Sequence, residues 1–252
     1  MARLVGFVAA ALLVAGAANL LRASGDDVAN AILEKAIKAL GGEARLGKAK
    51  AVTWKGKGTI SFGGNDNEFT TESTVSGLDR FRGVFEGEFG GNKVMGVTVL
   101  AGDKGWRKIG DNQMELDKDG VANEKRTVYL QVLPMLVLPL KDKAFKIEAA
   151  GEEKVGDKAA VAIKVTPVDG KTFRLSFDKQ SGLPVKVVAK VIGFMGEEFT
   201  QETTYGDYKD FKGIKKATKI ESKRDGEKFL DYSVTDFRVL DKVDAKMFSE
   251  PE

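Results

Sequence analysis

The sequence predicts a mainly β domain with helical insertions, in which a strongly curved antiparallel sheet, an open half-barrel, carries helices over its concave face. Three observations lead there. From Ala51 onward apolar and polar residues alternate in run after run, the period-two signature of half-buried strands. These runs are separated by short segments of Gly, Asn and Asp, which turn a chain back on itself. Helical spacing of apolar residues is confined to two segments, near 27–40 and 120–133. A meander this long cannot stay flat, because its twist would leave an apolar face and two free edges in water; curling around the helices buries that face.

At the N-terminus, Arg3 precedes an uncharged run from Leu4 to Leu21, followed by small residues through Ser24 and the polar pair Asp26-Asp27, and Ala15-Gly16-Ala17 offers an A-x-A-like cleavage site. Residues 1–24 are therefore expected to be a secretory signal peptide. An uncleaved anchor is the alternative, since the run is about as long as the minimum bilayer span. The expected location is periplasmic or otherwise exported, with 25–252 as one domain.

Asp27 is placed to cap a helix running to about Leu40, with Ile32, Leu33, Ala36, Ile37 and Leu40 as its apolar stripe and Gly41-Gly42 ending it. Glu43 to Leu46 adds another turn. In the next strand Val52, Trp54, Ile60 and Phe62 share a parity with Gly56 and Gly58, while Thr53, Lys55, Lys57, Thr59 and Ser61 take the other face. Further strands are expected at Glu68–Ser76, Asp79–Phe89, Lys93–Leu100 and Gly105–Ile109.

The strand ending at Phe89 is unusual. Phe81, Phe85 and Phe89 alternate with Gly83 and Gly87 on one face, so large rings are separated by positions without side chains. Either the glycines admit a closely packed helix or they leave room for a ligand. Gly120 to Leu140 then interrupts the β pattern. Val121, Val128, Tyr129, Val132 and Leu133 follow a near-helical spacing, and Pro134 limits the helix to about three turns, leaving an irregular apolar stretch from Met135 to Leu140 that must pack on something. After Lys141 the alternation returns in Val161/Ile163/Val165, Phe173/Leu175/Phe177, Leu183/Val185/Val187 and Leu230/Tyr232/Val234, with hairpin signals at Asp169-Gly170 and Asp225-Gly226.

The chain contains no His and no Cys, which removes imidazole triads, thiol nucleophiles, His/Cys zinc sites, disulfides and lipid-modified cysteines together. A net charge of +3, with both signs interspersed, gives no field that would steer the protein to nucleic acid. Glu115 to Gly120 begins like a calcium loop, but Arg126 stands where the closing bidentate glutamate belongs, so the segment reads as an Asp-Gly turn. Glu86 with Glu88, and Glu68 with Glu72, have spacings open to paired-carboxylate chemistry, yet charges alternate along almost every strand and a solvated face is the better reading. No enzyme activity, cofactor or metal is expected. Lys209, Lys212, Lys215, Lys216, Lys219, Lys223 and Arg224 form the densest basic cluster, read as a charged hairpin guarded by lysines, with peripheral contact to anionic membrane lipid as the alternative.

Taken together, several segments resemble the Lol-type (LolA/LolB-like) family of outer-membrane lipoprotein carriers and lipoprotein-sorting proteins. They are the early helix ending in Ala39-Leu40-Gly41-Gly42-Glu43, the strand Val52-Thr53-Trp54-Lys55-Gly56-Lys57-Gly58 and the turn from Phe177 through Asp178 and Gly182 to Lys186. The segment Tyr205 to Lys215 and the terminal Phe248-Ser249-Glu250-Pro251-Glu252 complete the set. The resemblance implies a half-barrel whose helices lid an apolar cavity for acyl chains, with Gly120 to Leu140 as the lid. It implies a non-enzymatic carrier of lipid or lipoprotein acyl chains; an envelope protein-interaction or stress-sensing module on the same fold is the alternative. The residues expected to line the cavity are Trp54, Phe81, Phe85, Phe89 and Trp106, with Leu133, Met135, Leu136 and Leu138 covering it.

Overall fold

The computed structural model describes residues 25–193 and 196–252. The expected signal peptide lies outside them. Two helices, Gly25–Leu40 (α1) and Glu43–Lys48 (α2), lead into six strands, Ala51–Phe62 (β1), Asn65–Ser76 (β2), Arg80–Phe89 (β3), Asn92–Ala101 (β4), Lys104–Ile109 (β5) and Asn112–Glu115 (β6). A third helix, Lys118–Val132 (α3), and a 3₁₀ turn at Leu138–Lys141 separate these from seven more. They are Phe145–Val155 (β7), Lys158–Pro167 (β8), Phe173–Asp178 (β9), Pro184–Ile192 (β10), Glu198–Phe211 (β11), Ile214–Arg224 (β12) and Glu227–Val239 (β13).

All the strands form one antiparallel sheet in the order β6-β5-β4-β3-β2-β1-β13-β12-β11-β10-β9-β8-β7. It is two meanders sewn together where the first strand meets the last, Trp54 opposite Phe237 and Gly58 opposite Tyr232. The segment holding α3 carries the chain from one edge, β6, to the other, β7. This crossing is possible only because the sheet curls. α3 touches β5, β4 and β10, and β5 and β10 stand eight places apart in the sheet, about 38 Å if it were flat, whereas fifteen helical residues reach about 22 Å. α1, likewise, touches β7, β8 and β12 at once. The expected curved open sheet with helices in its concave side is therefore what the chain forms.

Local sequence accounts for the main elements. α1 buries Ala29, Leu33, Ala36, Ile37 and Leu40 against the sheet, close to the expected stripe, with Ile32 at its margin. Gly41 and Gly42 end it at φ +138° and +87°, and a side chain on Gly41 would collide with the carbonyl of Gly213. Asp117 accepts a hydrogen bond from the Gly120 amide at 2.8 Å, so the carboxylate of the calcium-like segment serves as the N-cap of α3. Arg224-Asp225-Gly226-Glu227 forms the expected two-residue hairpin, Arg224 opposite Glu227, with Asp225 and Gly226 both at positive φ.

Candidate functional site

The concave face carries a ladder of rings that starts on the strand seam. Tyr232 of β13 lies over Gly56 of β1, so close that a Cβ there would sit 2.2 Å from its ring. The Tyr232 ring stacks on Phe69 at 5.8 Å between centroids, Phe69 on Phe85 at 5.3 Å, and Phe85 leans on Phe89 at 5.9 Å. Each such pair contributes about 0.5–1.5 kcal/mol beyond the area it buries. The glycines of β3 are covered from within this ladder. A Cβ on Gly83 would meet the Phe81 ring at 2.6 Å, and one on Gly87 would meet the rings of Phe89 and Phe85 at 3.0 and 3.1 Å. Neither a helix nor an empty space fills those positions; the strand's own phenylalanines fold over them.

Free volume opens at the other end of the ladder. A cavity of about 310 Å³ lies between α3 and strands β10 to β13 and β1 to β2. Its apolar wall includes Trp54, Phe69, Val187, Val191, Ile220 and Leu230, and Thr127, Leu130 and Gln131 of α3 lie across it. Thr71 and the Tyr232 hydroxyl satisfy each other at 2.7 Å, as do Thr203 and Ser222 at 2.9 Å, so these polar groups of the wall are spent on one another.

Trp54 alone among the sequence-predicted residues lines this cavity. Phe81, Phe85 and Phe89 share its concave face but belong to the closed end of the ladder. Trp106 faces the opposite side: it pairs with Val99 and packs with Val84, Val97 and Phe248 in a small cluster on the convex surface. Its run, Gly105 to Ile109, is too short and too polar to reveal its inward parity. The cover lies earlier in the chain than expected. Leu133 and Met135 are buried in the core, because the chain turns after α3 and drops its apolar stretch beside α2 and β7, while Leu136 and Leu138 line a separate groove with Leu46 and Pro139.

α3 is strapped down at both sides of the trough. Buried Arg126 spends its guanidinium on three backbone carbonyls, those of Lys190, Lys171 and Thr172, at 2.8, 2.7 and 3.1 Å. Two residues earlier Glu124 is buried against Arg107 of β5; burial pushes its carboxyl up, and the facing guanidinium opposes that shift. The helix is therefore a roof fixed to the sheet on both sides.

Among the described residues two cations line the cavity and no carboxylate does. Arg224, near the β12–β13 hairpin, is engaged by neighbours: its guanidinium lies 3.5 Å from the Phe229 ring centroid and its Nε donates to Gln201 at 3.1 Å. Lys216 is different. It is 5% exposed, and no hydrogen bond or ion pair engages it among the described residues. Burial alone pushes its amine down to about 8. In sequence, Lys216 and Arg224 belong to the dense basic cluster expected at the surface. The signal that separates them is parity: Lys215, Lys219, Glu221 and Lys223 are exposed, while Lys216, Ile220, Ser222 and Arg224 line the cavity.

Solved structures share this architecture. The chain aligns over 88% of its length with 97% of a LolA superfamily protein from Nitrosomonas europaea, at a TM-score of 0.58 and 11% identity. The chain has the LolA-type fold. A putative outer-membrane lipoprotein-sorting protein domain from Vibrio parahaemolyticus aligns over 87% of this chain and 97% of its own, at TM-score 0.56 and 14% identity. A DUF1329 family protein from Desulfovibrio piger covers 88% and 97%, at 0.54 and 13%. At such identities the likeness is one of fold. No protein-family model matches the chain, and no curated protein matches it. Within the LolA-type sheet the cavity occupies the concave side under the crossing helix, and its lining is this chain's own.

Proposed function

We propose that this protein is an exported, non-enzymatic carrier or binder of a hydrophobic ligand, a lipid or the acyl chains of a lipoprotein. The observation that carries the reading is the apolar cavity roofed by α3, lined by Trp54, Phe69, Val187, Ile220, Leu230 and Leu130. Its volume of about 310 Å³ lies at the low end of the ~300–1,000 Å³ typical of small-molecule sites. Each methylene withdrawn from water there contributes about 0.8 kcal/mol, so a partly buried chain binds without help from charge. The lipoprotein-sorting description of the Vibrio parahaemolyticus neighbour favours an acylated cargo, and the segment 1–24 favours work outside the cytoplasm. The absence of His and Cys from the sequence favours binding over catalysis.

The test is extraction of the protein from its native envelope followed by lipid mass spectrometry, together with titration of a fluorescent fatty acid into wild type and Leu130→Asp. Co-purified lipid, and probe binding weakened at least tenfold by the variant, are expected. A protein that carries no lipid and ignores the probe overturns the carrier reading in favour of an envelope protein-interaction module.

A further inference from the structure

The cavity is electrically one-sided. Lys216 and Arg224 are eight residues apart on β12, on the order of 25 Å along an extended strand, and both border a volume of about 310 Å³. A volume this near the low end for small-molecule sites suits one chain rather than two, and it forms a slot beside β12. Lys216 stands in it with no partner. No fully buried side-chain polar atom among the described residues goes unsatisfied, so the unpartnered Lys216 Nζ must touch the open volume of the slot. An ammonium with so little access to water and no anion beside it is costly, and the fold retains it.

We infer that the slot takes a single-chain anionic amphiphile, a fatty carboxylate, bound head-first with its carboxylate on Lys216 Nζ and its chain running along β12 toward Arg224. This rests on the carrier reading and narrows it to one class of ligand. A carboxylate would supply the missing counter-charge through a charge-assisted hydrogen bond in a water-poor site. The Tyr205 hydroxyl, which also lacks a partner among the described residues and whose side chain lines the slot, is a second donor for it. A neutral ester or alcohol would instead bury the ammonium further and offer it only a weak dipole. Arg224 does not compete for the head group, because Phe229 and Gln201 already hold it.

The groups facing the slot give the pH dependence. Among the described residues the titratable ones are Lys216 and Arg224 from β12, Tyr205 from β11 and Tyr232 from β13; β1, β2, β10 and α3 contribute none. Both tyrosines have phenols pushed up by burial, so in the mildly alkaline range Lys216 is the one that changes charge. With its free amine titrating at about 8, carboxylate affinity should fall as pH rises beyond that point.

The experiment is calorimetric titration of the full chain with dodecanoate and with dodecanol, at neutral and at alkaline pH, for wild type, Lys216→Met and the exposed control Lys219→Met. Wild type and Lys219→Met should prefer dodecanoate at least tenfold at neutral pH, the worth of one charged hydrogen bond. That preference should disappear in Lys216→Met, which still binds dodecanol, and should decline in wild type at alkaline pH. Equal binding of acid and alcohol by wild type, or a preference that survives in Lys216→Met, overturns the carboxylate inference while leaving the hydrophobic carrier intact. Failure of both amphiphiles to bind wild type overturns both.

Discussion

Two stretches of the same concave face are built from similar materials and end differently. On β2 and β3, Phe69, Phe81, Phe85 and Phe89 close over Gly83 and Gly87, leaving no room. Across the seam, β10 to β13 carry Val187, Val191, Ile220 and Leu230 with Lys216 among them, and a slot stays open beneath α3. A missing side chain does not create a cavity when a flexible neighbour on the same strand can lie down over it. A cavity persists where the roof is held away from the floor, and here Arg126 and Glu124 hold it. The ladder is a device for stability; the slot spends stability on a buried amine.

That contrast can be broken from either side. Phe69→Ala removes the ring shared by ladder and slot, and unfolding in denaturant should show a loss of about 3–5 kcal/mol. A loss below about 1 kcal/mol would mean that the ladder is not a packed unit. The opposite sign is expected for Lys216→Met. The folded-state amine is depressed from its ordinary 10.5 to about 8, so below pH 8 both states are protonated and the folded one bears the full penalty. Between those values the unfolded chain holds more protons, and stability rises with pH until the penalty is gone. Lys216→Met should therefore gain about 3 kcal/mol over wild type at neutral pH, the gain shrinking to nothing near pH 10.5 in parallel melts. A pH-independent difference would contradict the buried charge.

Smaller effects sharpen the same division. Gly83→Ala puts a methyl 2.6 Å from the Phe81 ring and should cost about 1–3 kcal/mol by thermal unfolding while leaving probe binding intact. On the outer face, Glu72→Gln breaks an exposed pair with Lys55 and should change stability by less than about 1 kcal/mol, detectable only at low salt.

What the sequence made legible was local. The α1 stripe, its glycine stop, the parity of β1, the Asp225-Gly226 turn and the limit that Pro134 sets on α3 each depend on neighbours a few residues away. The pairing of β1 with β13 was not legible, because it joins residues 170 or more positions apart and is chosen by how the whole sheet closes on itself. Lys216 fell between these cases. Its inward parity could be read from the exposed Lys215, Lys219, Glu221 and Lys223, but a run of lysines looks like a surface until burial is known. Trp106 was misplaced for the converse reason: a large ring on a short edge-side strand belongs to whichever face has a partner, and the cluster that holds it is completed by Phe248, from the far end of the chain.

The most direct measurement of the difference between ladder and slot is photo-crosslinking with a fatty acid that carries a diazirine along its chain, mapped by peptide mass spectrometry on the intact protein. Label should fall on Leu130, Ile220 and Leu230 and be competed away by unlabelled dodecanoate. Label concentrated on Phe81, Phe85 and Phe89, or spread over the outer face without competition, would contradict the assignment of the slot as the ligand site.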